Sequence, residues 1–521
     1  MPWLWYQEGL HCRVGASGAL TAACPYDVSG FTFSGVPGVV IGHNQRIAWG
    51  FTNLGPDVSD LYLERVSGGT YEYKGKREPL QTRTERIAVA GAKPVTITVR
   101  ATRHGPLLSD AMDEARRAGN GLAVALRWTA LDPGRTADAI GLLNGARNWP
   151  EFRTAAASFE VPAQNLVYAD VDGNIGYQAP GRIPIRTKGD GTSPAEGWTG
   201  KLEWKGFIPF ADLPSAYDPK QGYIVTANNA ATGPGYPNLL TKDWAYGYRA
   251  ARIEELIRQT PRMDVAGMGR IQLDDRNGFA PTLVPHLLRV GSGPAAGLLR
   301  GWDFTQGADS APAAYYDAVY RHVLLRTFDD ELPDGARPDG GDRWFEVLRN
   351  LLDRPDDPWW DDVGTAGVKE TRDDILRLAM KDADGELRHR LGDDPAKWKW
   401  GDLHRLELRN ETFGDSGIGP IEWLFNRGPL ELAGGDSLVD ATGSDVQTGY
   451  GVDWVPSMRM IVDLADTDRS RWVNLTGASG HAFDDHYWDQ AKLWARGETT
   501  PMRSAPETIR REARETLTLT P

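Results

Sequence analysis

A chain of 521 residues with 40% hydrophobic content exceeds one ordinary core, so two or three substructures or one large elaborated domain are expected. A formal net charge of −13 and a pI near 5.3 argue against a nucleic-acid partner, which needs a basic surface. No window reaches the apolar length of a membrane span, and Met1-Pro2-Trp3-Leu4-Trp5-Tyr6 has neither the basic start nor the apolar core of a signal peptide.

Cys12 and Cys24 are the two thiols of the chain and enclose a Gly/Ala/Ser-rich loop. They read either as buried thiols or, in an exported protein, as a disulfide closing about a dozen residues and contributing ~3 kcal/mol. Val39 to Ile41 and Ile47 to Phe51 are short apolar runs on either side of Gly42-His43-Asn44, which predicts strand, turn, strand. The polar loop that follows carries Thr52 and Asn53, then Asp57 and Asp60. Two readings of it stay open: a surface loop of ordinary turn formers, or a catalytic loop beside a site for a hard cation.

Tyr71 to Arg77 predicts a tight hairpin with Lys74-Gly75 at its tip. Alternation at Ile87 and Val89, and at Val95, Ile97 and Val99, predicts two half-buried strands paired across Gly91 to Pro94. His104 before Gly105-Pro106 reads as a turn residue, with a catalytic base as the sharper alternative. Leu122 to Trp128 is a further strand. Thr136 to Phe159 is helical, with Asn148 and Glu151 starting its second helix as a capping box. Asn165 to Ala169 and Asn174 to Tyr177 form strands about the Asp172-Gly173 turn, and Tyr223 to Val225 is expected to resume the sheet before Thr226-Ala227-Asn228-Asn229. Adjacent amides at the end of an apolar strand read as a turn or as a side-chain donor aimed at a substrate oxygen.

From Arg249 the pattern is helical, over 249–259, 311–332, 343–352 and 371–392, the last capped by Thr371 with Asp374 and ended by Gly392. Trp359, Trp360, Trp398 and Trp400 read as packing anchors in a chain with 19 tryptophans. Strands return at 458–462 and 472–475, and Thr516 to Thr520 alternates as a short closing strand would. The domain reading is 1–248 for a strand-rich first part, 249–410 for a mainly helical insertion and 411–521 for a return to the core.

The chain has no phosphate loop, no His-Glu-x-x-His and no Cys-based zinc pattern. Gly477-Ala478-Ser479-Gly480-His481 falls short of the Gly-x-Ser-x-Gly elbow and reads as a loop. What remains is a set of amides and carboxylates without an obvious nucleophile.

In order along the chain stand Leu4-Trp5-Tyr6, Pro37-Gly38-Val39-Val40-Ile41-Gly42-His43-Asn44, Ala48-Trp49-Gly50-Phe51-Thr52-Asn53 and Asp57-Val58-Ser59-Asp60-Leu61-Tyr62. Asp172-Gly173-Asn174-Ile175-Gly176-Tyr177, Thr226-Ala227-Asn228-Asn229, Tyr248-Arg249-Ala250, Ser457-Met458-Arg459 and Gly477 to His481 with His486-Tyr487 follow. With these segments the chain resembles the catalytic β chain of the penicillin acylases, which are N-terminal nucleophile hydrolases. The resemblance implies an α+β fold, a four-layer αββα sandwich with helical insertions, and hydrolysis of an amide through an acyl-enzyme.

It implies an oxyanion hole made by the backbone N–H of Asn53 and the side chain of Asn228, with Arg249 holding that asparagine. It implies Ca²⁺ on Asp57, the carbonyl of Ser59, Asp60, the carbonyl of Pro184 and Asp243. It further implies a small α chain as partner, a β-lactam or other N-acyl compound as substrate, and a periplasmic or secreted location. The family's N-terminal serine has no counterpart at Met1 or Pro2, so these residues alone are expected not to hydrolyse amides. A missing first segment would also leave an unpaired sheet edge. The competing expectation is a secreted calcium-dependent ligand-binding protein without catalysis.

Overall fold

The computed structural model describes residues 5–11 and 26–517. Cys12, Cys24 and the end of the alternating tail lie outside them, and Thr516 and Leu517 are not in a strand. The chain divides into two compact units. One comprises Met1–Ala48, Val225–Asn229 and Ala245–Pro521, and the other comprises Trp49–Ile224 and Ala230–Trp244.

In the first unit, Tyr6–His11, Asp27–Thr32 and Ile41–Asn44 pair antiparallel in that order, with Tyr6 opposite Thr32 and Phe31 opposite Ile41. Asp27–Thr32 is buried along its whole length. Its Gly30 faces Gly42 so closely that a methyl group on either would lie 2.1 Å from a carbonyl oxygen of the other strand. Gly42, His43 and Asn44 therefore belong to the strand, and the expected turn moves to Gln45-Arg46. There Oδ1 of Asn44 accepts from the N–H groups of Arg46 and Ile47 at 2.8 and 2.9 Å.

A second sheet of this unit joins Met458–Ile461, Arg471–Asn474 and Thr500–Pro501. Trp472 packs on Phe31, and Asn474 donates to the carbonyl of Trp5 at 2.8 Å, so sequence-distant strands share one packing layer.

The helices of this unit gather around Ala311–Phe328, whose aromatic and alanine-rich face is buried nearly all round, as a central helix requires. Tyr248–Gln259, Asp342–Leu352 and Arg372–Leu391 follow the sequence pattern, and Asp374 accepts from both the N–H and the hydroxyl of Thr371. Val265–Gln272 and Ala280–Val290 are helices that no pattern above indicates. Trp360, Trp398 and Trp400 are packing anchors, each at most 2% exposed.

In the second unit, Ser59–Glu64 lies between Ala123–Trp128, antiparallel, and Ala195–Glu196, parallel. Gln164–Asp170, Ile175–Gln178 and Ser215–Tyr217 form an antiparallel run, and Pro184–Arg186 pairs with Trp204–Phe207. Asn148 accepts from the N–H of Glu151 at the start of Trp149–Ala156, as expected, after a separate helix Thr136–Gly145. The Lys74-Gly75 hairpin forms between Thr70–Tyr73 and Lys76–Pro79.

Two expectations change here. Tyr223 to Val225 is not a strand, so the sheet does not resume there. Gln81–Ile87 and Val95–Thr102 pair as predicted, yet Ile87, Val95 and Ile97 are exposed rather than half-buried, because nothing among the described residues packs over that end of the hairpin.

Candidate functional site

The strand Ile47–Asn53 ends in the polar loop, and Asn165 holds that end in place. Buried in the next strand run, Asn165 donates through Nδ2 to Thr52 Oγ1 and to the carbonyl of Asn53, both at 3.1 Å. Its Oδ1 accepts from the Tyr177 hydroxyl at 2.6 Å, which fixes the amide's orientation. Oδ1 of Asn53 accepts from the N–H of Gly55 at 3.1 Å, closing a local turn.

In the other unit, Asn228 has φ +64°, a left-handed conformation that asparagine tolerates better than most residues. Its carbonyl accepts from the N–H of Ala245 at 3.1 Å. Arg249 stands in the first turn of Tyr248–Gln259 and donates through Nη2 to Oδ1 of Asn228 at 2.9 Å. That bond to a cation fixes which end of the amide is the oxygen and which carries the N–H donors. Burial lowers the pKa of Arg249, and Asp342 and Asp436 oppose the fall. Asp436 is itself pushed up to about 6 by burial.

Of the residues expected to bind calcium, Asp57 and Asp60 meet a different cation. Asp60 lies on Ser59–Glu64 and meets Arg186, whose Nε and Nη2 donate to Oδ1 at 3.1 and 2.8 Å and whose Nε also reaches Oδ2 at 3.0 Å. Nη2 donates to the carbonyl of Asp57 at 3.1 Å and lies 3.3 Å from its carboxylate. Trp204, paired with Arg186 across the two-stranded sheet, donates its indole N–H to Asp60 Oδ2 at 2.6 Å.

The Arg186 and Asp60 side chains are 6% and 8% exposed, so this is a buried ion pair with its hydrogen bonds made. Burial raises the pKa of Asp57, with Arg186 pulling against the rise and the nearby Asp60, Asp190 and Asp243 adding to it. Pro184 lies two residues before Arg186 and pairs with Phe207, and Ser59 pairs with Trp128.

Calcium needs six to eight oxygens at about 2.3–2.6 Å. A divalent ion placed about 4 Å from the guanidinium would meet a repulsion of about 8 kcal/mol at an effective dielectric of 20. Among the described residues, no three His, Cys, Asp or Glu side chains are placed to hold a metal ion. With Arg186 where it stands, the carboxylates do not fit calcium.

His104 is fully buried and structural in its surroundings. Nδ1 lies 2.7 Å from Glu64 and Nε2 3.0 Å from Glu203, while the ring stacks on Tyr62 at 3.9 Å. Ser479 lies in a loop, its N–H donating to the carbonyl of His486 at 3.0 Å, with no strand-to-helix turn. Sequence reasoning passed over Asn165, Arg186 and Trp204 as site residues. The groups they hold, Thr52 and Asp60, lie more than a hundred residues away, and the one local hint was the polar arginine ending the short run Pro184-Ile185-Arg186.

Comparison with known proteins follows the same lines. A family model described as penicillin amidase matches residues 1–511. The acyl-homoserine lactone acylase QuiP of Pseudomonas aeruginosa is 30% identical over 550 residues, covering 95% of this chain and 64% of that protein. The penicillin acylase 2 proenzyme of Pseudomonas sp. (strain SE83) is 30% identical over 520 residues, covering 94% and 63%. The chain thus spans less than two thirds of the length of these relatives. Among solved structures, thermostable penicillin G acylase from Alcaligenes faecalis matches with a TM-score of 0.70 and 24% identity, covering 100% of this chain and 94% of that one. That likeness gives the fold: α+β, of the N-terminal nucleophile hydrolase type. Among the described residues no helix is long and apolar enough to cross a membrane.

Proposed function

Because this chain belongs to the penicillin amidase family, we propose that it supplies the oxyanion-stabilising part of an amidohydrolase that cleaves a side-chain amide through an acyl-enzyme. The observation that carries the reading is the 2.9 Å bond from Arg249 to Oδ1 of Asn228, which orients the amide with its N–H donors on the side away from the guanidinium. In this reading the side-chain N–H of Asn228 receives the negative charge that develops on the attacked carbonyl oxygen. Asn165 and Tyr177 hold the strand end that carries Asn53. In this reading the attacking group is a serine hydroxyl activated by a neighbouring amine base. A smaller α chain as partner and export to the periplasm or the medium belong to the same reading.

The substrate classes to assay are those named by the relatives, N-acyl-homoserine lactones and penicillins. In the full protein, Asn228→Ala should lower kcat by about 10²–10³ with little change in KM, as loss of one oxyanion donor does. A variant that kept full kcat would remove Asn228 from the hole.

A further inference from the structure

We infer that the guanidinium of Arg186 is the resident cation of the Asp57–Asp60 loop, so that the loop is positioned without a metal ion. Three features of the second unit point this way together. Both oxygens of Asp60 and the carbonyl of Asp57 accept from Arg186, so the Asp60 carboxylate is fully engaged by a cation of the chain itself. The pair is sealed: Gly191, at φ +84°, lies so close that a methyl group there would stand 2.4 Å from Asp60 Oδ1 and 2.7 Å from Arg186 Nη2. The neighbouring carboxylate of Asp190 has an intramolecular cation of its own, Lys242, next in sequence to Asp243.

A fixed planar fork suits this place better than a spherical ion. Arg186 and Trp204 are cross-strand partners on the two-stranded sheet, and both donate to the same carboxylate on Ser59–Glu64. Asp60 therefore ties two separate sheets together while its neighbour Asp57 is gripped by its backbone oxygen. Arg186 is thus a positioning residue for the segment that begins at Asn53. Only that bearing on Asn53 rests on the hydrolytic reading; the metal-free tether does not.

The test uses the full protein and reads heat and binding rather than turnover, so a failure to hydrolyse amides leaves it untouched. Calorimetric titration of calcium into the wild type should give no binding, and its Tm should be the same in EDTA as in added calcium. Arg186→Gln should lower Tm by about 3–5 °C, since it leaves Asp60 buried without its partner. Arg186→Lys should recover part of that fall, because it restores the charge without the fork. Stoichiometric calcium binding by the wild type with a Tm that drops in EDTA would overturn the assignment. So would an Arg186→Gln variant that melts with the wild type. Should Arg186→Gln fail to fold, the wild-type titration and the lysine variant decide alone.

Discussion

With carboxylates at 2.7 and 3.0 Å from its two ring nitrogens, the imidazole of His104 is a strut rather than a base open to substrate. Burial alone would lower its pKa, but Glu203 and Glu64 overcome that and raise it above the ordinary 6.5. Glu203 moves the other way: burial would raise its pKa, yet His104 brings it below 4.5. The imidazolium's stabilisation is therefore full below about pH 6.5 and lost as pH rises through the raised value. Glu203 contributes above its ordinary value and loses this as pH falls through the depressed one. His104→Ala should cost about 3–5 kcal/mol at pH 5.5, because it strands buried Glu64. Thermal melts should show the gap to wild type narrowing by pH 9, and an equal gap at both pH values would sink the charged-strut account. His104 was readable as a non-catalytic residue, but the two glutamates were not, since they lie 40 and 99 residues away.

At the scale of elements, periodicity and caps located most helices, because each signal is local. The Thr371–Asp374 box and the Asn148–Glu151 cap sit at the boundaries the sequence indicates. Ala280–Val290, which no local pattern marked, carries Pro281 in the tolerated first turn and Pro285 inside a helix whose Leu283, Val284 and Leu287 are buried. Tyr223 to Val225 erred the other way, as a short apolar run that is not a strand among the described residues. In the exposed hairpin, Val95 stands directly opposite Ile87, with Ile97 on the same face. Replacing Val95 and Ile97 by threonine should change stability by less than about 0.5 kcal/mol each while reducing light scattering at high concentration. A large loss of stability would mean that this face is covered in the native protein.

For the whole molecule, a net charge of −13 places the least soluble condition near the pI of about 5.3, where self-repulsion vanishes. Turbidity against pH should peak there and fall on both sides, and a peak near neutrality would point to exposed apolar surface instead. The sequence by itself determined the family and the α+β class, because ordered short motifs and caps survive as local patterns. The family resemblance implied that Arg249 holds Asn228, and the structure puts the two in contact. Only the tertiary structure decided which cation meets Asp57 and Asp60. Carboxylates in a loop attract any positive group, and the one that arrives is chosen by strand pairing that brings Arg186 across 126 residues of chain.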